Sequence, residues 1–175
     1  MIRKCLSGDR LAQKYLYDLY APVMLATCRR YIASFEDAED VMIEGYYKVF
    51  EHLSQYDYRG SFEGWIKKIM VNEALMWLRK RKLRYTELNE SMDTPDEDFD
   101  LGQIEVGPSA IFEMLDQLPE GYRTIFNLYV IEEYKHKEIA ELLGISINTS
   151  KSQLILAKKR LKNMIEASNQ KHKKK

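Results

Sequence analysis

The segment that decides the C-terminal half of the fold is residues 135–163, KHKEIAELLGISINTSKSQLILAKKRLKN. Apolar residues spaced three and four apart, from Ile139 to Leu143, predict a short helix. Gly144 then supplies a turn, because a residue without Cβ takes a left-handed conformation at little cost. Ser146 is a good N-cap for a second helix, which is polar at its start and basic toward its end. This layout predicts a helix-turn-helix that places a helix N-terminus in the major groove of DNA.

The second helix of this pair carries the side chains expected to touch DNA. Its early polar residues suit base edges and phosphates, and its later cations suit phosphate neutralisation. The candidate DNA-binding residues are Asn148, Thr149, Lys151, Ser152, Gln153, Lys158 and Lys159. Two antiparallel helices joined by glycine are also a common packing unit, and this segment alone leaves that alternative open.

The rest of the chain predicts further helices and no strands. Amphipathic spacing predicts helices over about residues 9–31, 34–53 and 61–83, with Ser34 and Ser61 as N-caps. In the first of them Pro22 interrupts the pattern and predicts a kink or a split. The expected apolar stripe of that helix is Leu11, Tyr15, Leu16, Leu19, Val23, Ala26 and Tyr31. Two more helices, over about 109–118 and 120–131, precede the helix-turn-helix.

Periodicity fails between residues 86 and 107, where hydrophobicity is low and acidic residues are dense. The sequence therefore predicts an all-α protein with two small helical domains joined by an acidic linker. The predicted divisions are an N-terminal domain over 1–85, a linker over 86–108, a helix-turn-helix domain over 109–167 and a basic tail over 168–175.

Charge is strongly polarised although the formal net charge is zero. Residues 65–84 hold seven basic residues against one acid, and residues 85–122 hold eleven acids and no Lys or Arg. Residues 134–175 hold eleven basic residues against three acids. Two basic blocks around an acidic one indicate two polyanion-binding surfaces. The alternative is that the blocks are solvated helix faces followed by a basic tail.

Several classes of protein are not favoured. No apolar run approaches the roughly 20 residues of a membrane span, and no secretory signal is evident, so a cytoplasmic protein is expected. The two cysteines and three histidines match no metal-ligand spacing. No phosphate-binding, nucleophile-elbow or zinc-protease motif occurs. We therefore expect no metal, no cofactor and no enzymatic activity.

A second basic stretch mixes aromatic rings with cations. The residues concerned are Tyr56, Tyr58, Phe62, Trp65, Lys67, Lys68, Asn72, Trp77, Arg79 and Arg81. Rings that stack on bases, with cations along the backbone, are typical of proteins that hold unstacked single-stranded DNA. The alternative is that Phe62 and Trp65 belong to the core.

A third stretch, DAEDVMIEGYYKVF over residues 37–50, indicates a protein-binding face. Its acids fall in the first turn, where they suit the helix dipole. Tyr46 and Phe50 are one turn apart, and we expect both rings to face outward beside carboxylates. Exposed aromatic rings of this kind are typical of protein interfaces.

These three stretches, in this order and around an acidic linker, resemble the sigma factors of bacterial RNA polymerase, specifically the short extracytoplasmic-function type. The resemblance covers about residues 7–166. It implies that the helix over 37–50 docks on the polymerase clamp, and that the 61–80 region with its preceding loop melts and reads the −10 promoter element. It also implies that the helix-turn-helix reads the −35 element.

The resemblance implies roles for individual residues. The expected clamp contacts are Asp40, Ile43, Glu44, Tyr46 and Phe50. The expected −10 contacts are Tyr56, Tyr58, Arg59, Ser61, Lys68, Asn72 and Arg79, with Asn72 and the 55–61 loop handling a flipped base. The sequence departs from the family at Ile43, where Gln is usual, at Tyr46–Tyr47, and at Gln153 and Leu156, where basic residues often stand.

The expected partners are therefore the RNA polymerase core and promoter DNA. Members of this type are commonly held inactive by an anti-sigma factor, although no residue pattern here points to one. The acidic residues of the linker are compatible with two roles. The linker could mimic nucleic acid inside the basic channels of the polymerase, or it could be a solvated spacer. The alternative function is a stand-alone helix-turn-helix repressor or activator, which would bind duplex DNA tightly without polymerase.

Overall fold

The computed structural model describes residues 1–81 and 108–172, with side chains described over 1–81 and 110–169. The regular elements in these ranges are all helices, which confirms the all-α expectation. The chain divides into two compact units, Met1–Lys82 and Leu83–Lys175, and each is described by itself. The predicted linker over 86–108 lies almost wholly outside the described residues.

The N-terminal unit is built on three long helices, with a short helix in front that the sequence analysis missed. Asp9, Ser34 and Ser61 each cap the next helix by accepting hydrogen bonds from backbone N–H groups of its first turn, as predicted for the two serines. The elements are α1 (Ile2–Leu6), α2 (Arg10–Arg29), α3 (Phe35–Glu51) and α4 (Phe62–Lys80).

The core of this unit lies where α2, α3 and α4 pack against one another. Burying these apolar side chains is the main source of its stability. The fully or nearly fully buried residues include Leu16, Met24, Met42, Val49, Ile66, Met70, Leu75 and Leu78.

The buried side of α2 differs from the predicted stripe. The helix runs continuously through Pro22, so the proline does not split it. Leu16 is buried as expected, and Met24 and Cys28 share its side. Tyr31, just past the helix end, is also buried as expected. The remaining predicted stripe residues are exposed: Leu11, Tyr15, Leu19, Val23 and Ala26. Both sides of α2 are apolar, so periodicity predicts the helix but does not determine which side is buried.

Helices α3 and α4 are held together closely. A Cβ atom on Gly45 would lie 2.4 Å from the Met70 sulfur, so glycine lets the helices approach at this point. Two ion pairs join the same helices: Lys48–Glu73 at 2.6 Å and Asp37–Arg81 at 3.3 Å. The two outer faces of α3 and α4 therefore belong to one packed body.

The C-terminal unit contains the predicted helix-turn-helix preceded by two helices. Its described elements are α5 (Pro108–Asp116), α6 (Glu120–Phe126) with a π-helical turn over Asn127–Ile131, α7 (His136–Leu143) and α8 (Ile147–His172). Helix α8 packs against α5, α6 and α7. It continues past the expected end at about Glu166, because residues 167–172 contain neither glycine nor proline.

The turn between α7 and α8 has the predicted chemistry. Gly144 is left-handed, with φ of 68°. The Ser146 hydroxyl accepts a hydrogen bond from the backbone N–H of Thr149 at 2.9 Å and so caps α8. Ile139 and Leu143 are buried between the two helices. The helix-turn-helix prediction is thus confirmed in both its turn and its cap.

Candidate nucleic-acid and protein interfaces

The outer face of α3 is an apolar row inside an acidic rim, and we call it the α3 ridge. Ile43 and Tyr47 are exposed, and Phe50 is half-buried beside them. At 100° per residue these three side chains fall on one side of the helix. The exposed carboxylates on the same side are Glu36, Glu39, Asp40, Glu44 and Glu51. Such a face suits a partner that offers apolar contacts and positive charge.

Tyr46 does not belong to this ridge, so the expectation that it faces outward is wrong. Its side chain is 3% exposed, and its ring centroid lies 4.7 Å from that of Tyr17 and 6.2 Å from that of Phe50. Burial raises the pKa of the Tyr46 hydroxyl, which has no hydrogen-bond partner among the described residues. The outward aromatic residue is Tyr47, which is 66% exposed and which the sequence analysis did not single out.

A tight loop between α3 and α4 turns several side chains to solvent. After a 3₁₀ turn over Leu53–Gln55, the buried Tyr56 donates a hydrogen bond from its hydroxyl to the Gly60 carbonyl at 2.9 Å. Gly60 has φ of 85°, and Tyr58 is also left-handed at 61°, an uncommon state for a residue with a side chain. The loop therefore fixes its backbone through Tyr56 and turns the Tyr58 ring to solvent.

Short polar contacts complete this loop. The Asp57 carboxylate accepts a hydrogen bond from the Arg59 backbone N–H at 3.0 Å and pairs with its guanidinium at 3.2 Å. The Ser61 hydroxyl accepts from the Gly64 N–H at 3.0 Å. Arg59 and Ser61 remain exposed. The expected −10 residues of the loop thus split into an internal support, Tyr56, and an exposed set.

Aromatic rings form a wall behind the loop. The Tyr56 ring lies 4.9 Å from Tyr58, 5.0 Å from Phe62 and 5.6 Å from Trp65, measured between centroids. Phe62 is buried, as in the core alternative, whereas Trp65 is only partly buried and stacks on Phe62 at 5.7 Å. Trp65 therefore keeps an accessible edge beside the loop.

The outer face of α4 aligns the remaining −10 candidates. Lys68, Asn72 and Arg79 are all exposed. Their spacing of four and seven residues places them within about 40° of one another around the helix axis. A line of cations and an amide running from the aromatic loop suits a single strand whose bases are unstacked at the loop.

The outer face of α8 carries most of the −35 candidates. Asn148, Lys151 and Lys159 are exposed, and Ser152 and Lys158 are half-buried. The Lys158 ammonium lies 6.0 Å from the Tyr129 ring centroid. Ile155, which the sequence analysis did not name, falls between Lys151 and Lys159 on the same face. An apolar side chain there can contact a thymine methyl group.

Two of the −35 candidates are placed elsewhere. Thr149 and Gln153 are buried, so neither can contact a duplex from its observed position. Thr149 instead joins the helix cap, its hydroxyl lying 2.8 Å from that of Ser146. Both residues lie on the side of α8 that packs against the rest of the unit. The absence of a cation at position 153 therefore does not change the charge of the exposed side of α8.

The two cysteines lie in the interior of the N-terminal unit. Cys5 and Cys28 are buried free thiols, and burial raises the pKa of Cys28 to about 12. Over residues 1–81 and 108–172, no three His, Cys, Asp or Glu side chains are placed to share a metal ion. In the same ranges no helix combines the length and apolar character that crossing a membrane requires.

Two sequence families match this chain. The family described as Sigma-70 region 2 matches residues 16–84, and the family described as Sigma-70, region 4 matches residues 109–161. The first match contains the α3 ridge, the aromatic loop and α4, and the second contains the helix-turn-helix.

Curated relatives agree with these matches. RNA polymerase sigma factor SigV of Bacillus subtilis (strain 168) is 31% identical over 132 residues, covering 74% of this chain and 76% of that relative. ECF RNA polymerase sigma factor SigM of the same organism is 24% identical over 162 residues, covering 88% of this chain and 92% of that relative.

Solved structures share the fold at low sequence identity. The sigma factor RpoE in complex with the anti-sigma factor NepR from Bartonella quintana superposes with a TM-score of 0.52 at 18% identity, covering 87% of this chain and 96% of that one. CnrH in complex with the cytosolic domain of CnrY gives a TM-score of 0.50 at 18% identity, covering 95% of each chain.

Proposed function

Because the chain belongs to the RNA polymerase sigma factors of the extracytoplasmic-function type, we propose that its described surfaces divide promoter recognition between them. The protein directs polymerase to promoters for transcription initiation. In our proposal the α3 ridge docks on the polymerase clamp, the loop over 56–61 with α4 captures −10 bases, and α8 anchors the −35 duplex. The chain supplies positioning, and the polymerase supplies the chemistry.

One observation carries this division of labour. An acidic, apolar-centred face on α3 and a cationic, aromatic face on the loop and α4 lie on helices joined by two ion pairs. A stand-alone repressor needs only the helix-turn-helix, so this alternative function does not account for the α3 ridge. The matched families and relatives do not favour that alternative.

We propose residue roles that differ from the sequence-based set in three places. Tyr47 replaces Tyr46 as the aromatic clamp contact, because Tyr46 is buried. Tyr56 supports the loop from inside, while Tyr58 offers the exposed ring. Ile155 replaces Gln153 on the −35 face.

An anti-sigma factor is included among the proposed partners. Two proteins that share this fold were solved in complexes, one of them with a named anti-sigma factor. With polymerase and promoter DNA as the other partners, the proposed place of action is the cytoplasm.

The deciding experiment is run-off transcription with core polymerase of the source bacterium on its promoters. We expect promoter-specific starts with the protein present and feeble DNA binding by the protein alone. If neither core binding nor any start site appears, the function assigned here is wrong.

A paired set of variants then tests the α3 ridge. Ile43→Ala combined with Tyr47→Ala should raise the dissociation constant for core by about tenfold or more, since exposed apolar anchors dominate such interfaces. The matched control is Leu11→Ala with Tyr15→Ala, which removes two exposed apolar side chains from α2 in the same unit. Unchanged core affinity in the α3 double variant would remove the ridge from the docking surface.

A further inference from the structure

Two side-chain contacts of the first residue of α7 join three elements of the C-terminal unit. That residue is His136, and its Nδ1 lies 2.9 Å from the hydroxyl oxygen of Ser150 in α8. The same imidazole stacks on the Tyr129 ring of the π-helical turn, with the centroids 4.4 Å apart and the ring planes at 24°. The proposed function assigns no role to these three residues.

The backbone that carries His136 is held on both sides. The Glu138 carboxylate accepts a hydrogen bond from the Lys135 backbone N–H at 2.7 Å, which closes the first turn of α7. Just upstream, the Tyr134 N–H donates to the Leu128 carbonyl at 2.9 Å. The imidazole is half-buried, and it therefore starts from a defined backbone position.

The contact with Ser150 connects the two helices of the helix-turn-helix at a second place. Gly144 leads from the C-terminal end of α7 into α8, whereas His136 reaches α8 from the N-terminal end of α7. Attachment at both ends of α7 restricts the angle between the helices more than the turn alone. That angle determines how the start of α8 enters a major groove.

The chemistry of position 136 matches both contacts. Ser150 is fully buried, and a buried hydroxyl needs a hydrogen-bond partner. Histidine combines a flat ring that stacks on Tyr129 with a ring nitrogen that bonds to the hydroxyl. Phenylalanine would keep only the ring, and asparagine would keep only a polar group at a similar distance from the backbone. These two substitutions therefore separate the two contacts.

We propose that His136 is a positioning residue for −35 recognition, because its hydrogen bond to Ser150 holds α8 at the angle at which the exposed side of that helix meets the duplex. The stack on Tyr129 supports the imidazole in the orientation that this bond requires. The inference rests on the proposed role of α8 in anchoring the −35 duplex. It adds a residue that acts through another side chain.

The test uses holoenzyme assembled from core polymerase and the full chain, on a promoter identified by run-off transcription. Its readout is the −35 ratio, defined as the affinity for that promoter divided by the affinity for the same fragment with a scrambled −35 element. Loss of one hydrogen bond lowers the equilibrium constant for the held angle about fivefold. His136→Phe should therefore lower the −35 ratio by up to that factor, and His136→Asn should restore most of it.

A double-mutant cycle and a matched control assign the effect to the His136–Ser150 pair. Ser150→Ala should lower the −35 ratio, and adding it to His136→Phe should lower the ratio no further. His52→Phe is the control, since His52 is also half-buried and its Nδ1 lies 3.2 Å from the Gln55 side-chain nitrogen in the N-terminal unit. This variant should leave the −35 ratio unchanged.

A second readout separates positioning from a general loss of structure. The affinity of holoenzyme for a forked fragment that contains the −10 element but no −35 element should be the same for wild type and for the His136 and Ser150 variants. Circular dichroism checks that each variant is folded. An equal fall in both affinities would overturn the inference, because the effect would then not be specific to −35 recognition.

Three other results would also overturn it. A wild-type −35 ratio in His136→Phe would show that the hydrogen bond does not affect recognition. Equal losses in His136→Asn and His136→Phe would assign the effect to the ring, and additive losses in the double variant would indicate that His136 contacts DNA directly. Failure of the proposed function appears separately, as a −35 ratio near one for the wild-type chain.

Discussion

Removing the Tyr56 hydroxyl tests whether the loop between α3 and α4 is a prepared base-capture element. In Tyr56→Phe the ring keeps its contacts with Phe62 and Trp65, and only the hydrogen bond to the Gly60 carbonyl is lost. Such a bond contributes about 1 kcal/mol net. A left-handed conformation at a residue with a side chain, as at Tyr58, costs about 1–2 kcal/mol. The bond is therefore of the size needed to offset the strain at Tyr58.

The expected result follows from those two magnitudes. A loss of about 1 kcal/mol lowers the equilibrium constant for forming the capture-ready loop about fivefold. The affinity of holoenzyme for a forked promoter with a single-stranded −10 segment should fall, by at most the same factor. Fluorescence of 2-aminopurine in that segment measures it, on a promoter identified by run-off transcription. Affinity for core polymerase should not change, because the α3 ridge is untouched.

A control and a second background make this prediction specific. Tyr20→Phe is the matched hydroxyl deletion, in a ring that also contacts Phe62 but donates no hydrogen bond to the described residues. It should have no effect on the forked promoter. If Tyr56 acts by holding Tyr58, its effect should disappear in a Tyr58→Leu background. The reasoning is refuted if Tyr56→Phe binds the forked promoter with wild-type affinity. It is also refuted if Tyr56→Phe weakens that binding as much in the Tyr58→Leu background as in the wild-type chain.

Three further predictions concern stability, thiol reactivity and duplex binding. Tyr46→Phe removes a buried hydroxyl that has no partner among the described residues, so the free energy of unfolding in urea should rise by about 1 kcal/mol; a decrease would contradict this. At pH 8 iodoacetamide should alkylate Cys5, in the short helix α1, before it alkylates Cys28. The pKa of Cys28, about 12, keeps this thiol protonated, so its labelling should require unfolding. Equal rates for the two thiols would refute that order. Lys151→Ala should reduce the salt dependence of −35 duplex binding by about 0.9 in log–log slope, and an unchanged slope would mean that this ammonium touches no phosphate.

Local chemistry made most of the fold predictable. Capping serines, the left-handed glycine at position 144 and three- and four-residue spacing each specify one conformation, and the helices formed where these signals stand. The short helix α1 was missed because five residues are too few to show a periodic pattern.

The orientation of side chains was less predictable than the helices themselves. Adjacent tyrosines at positions 46 and 47 differ by about 100° around α3, and it is tertiary packing, including the contact with Tyr17 of α2, that buries the first. On α2, apolar residues occur on both sides, so the sequence pattern was compatible with two phases. Thr149 and Gln153 were misplaced for a related reason: polar side chains near a helix start serve caps and interior contacts as readily as DNA.

The ion pairs between α3 and α4 have a mechanical consequence. Lys48–Glu73 and Asp37–Arg81 join the two helices at separate points along their length, and Gly45 lets the backbones approach between them. These contacts, with the buried core between the helices, favour movement of α3 and α4 as one body. We therefore expect that the seating of α3 on the polymerase also sets the angle at which α4 presents the open strand.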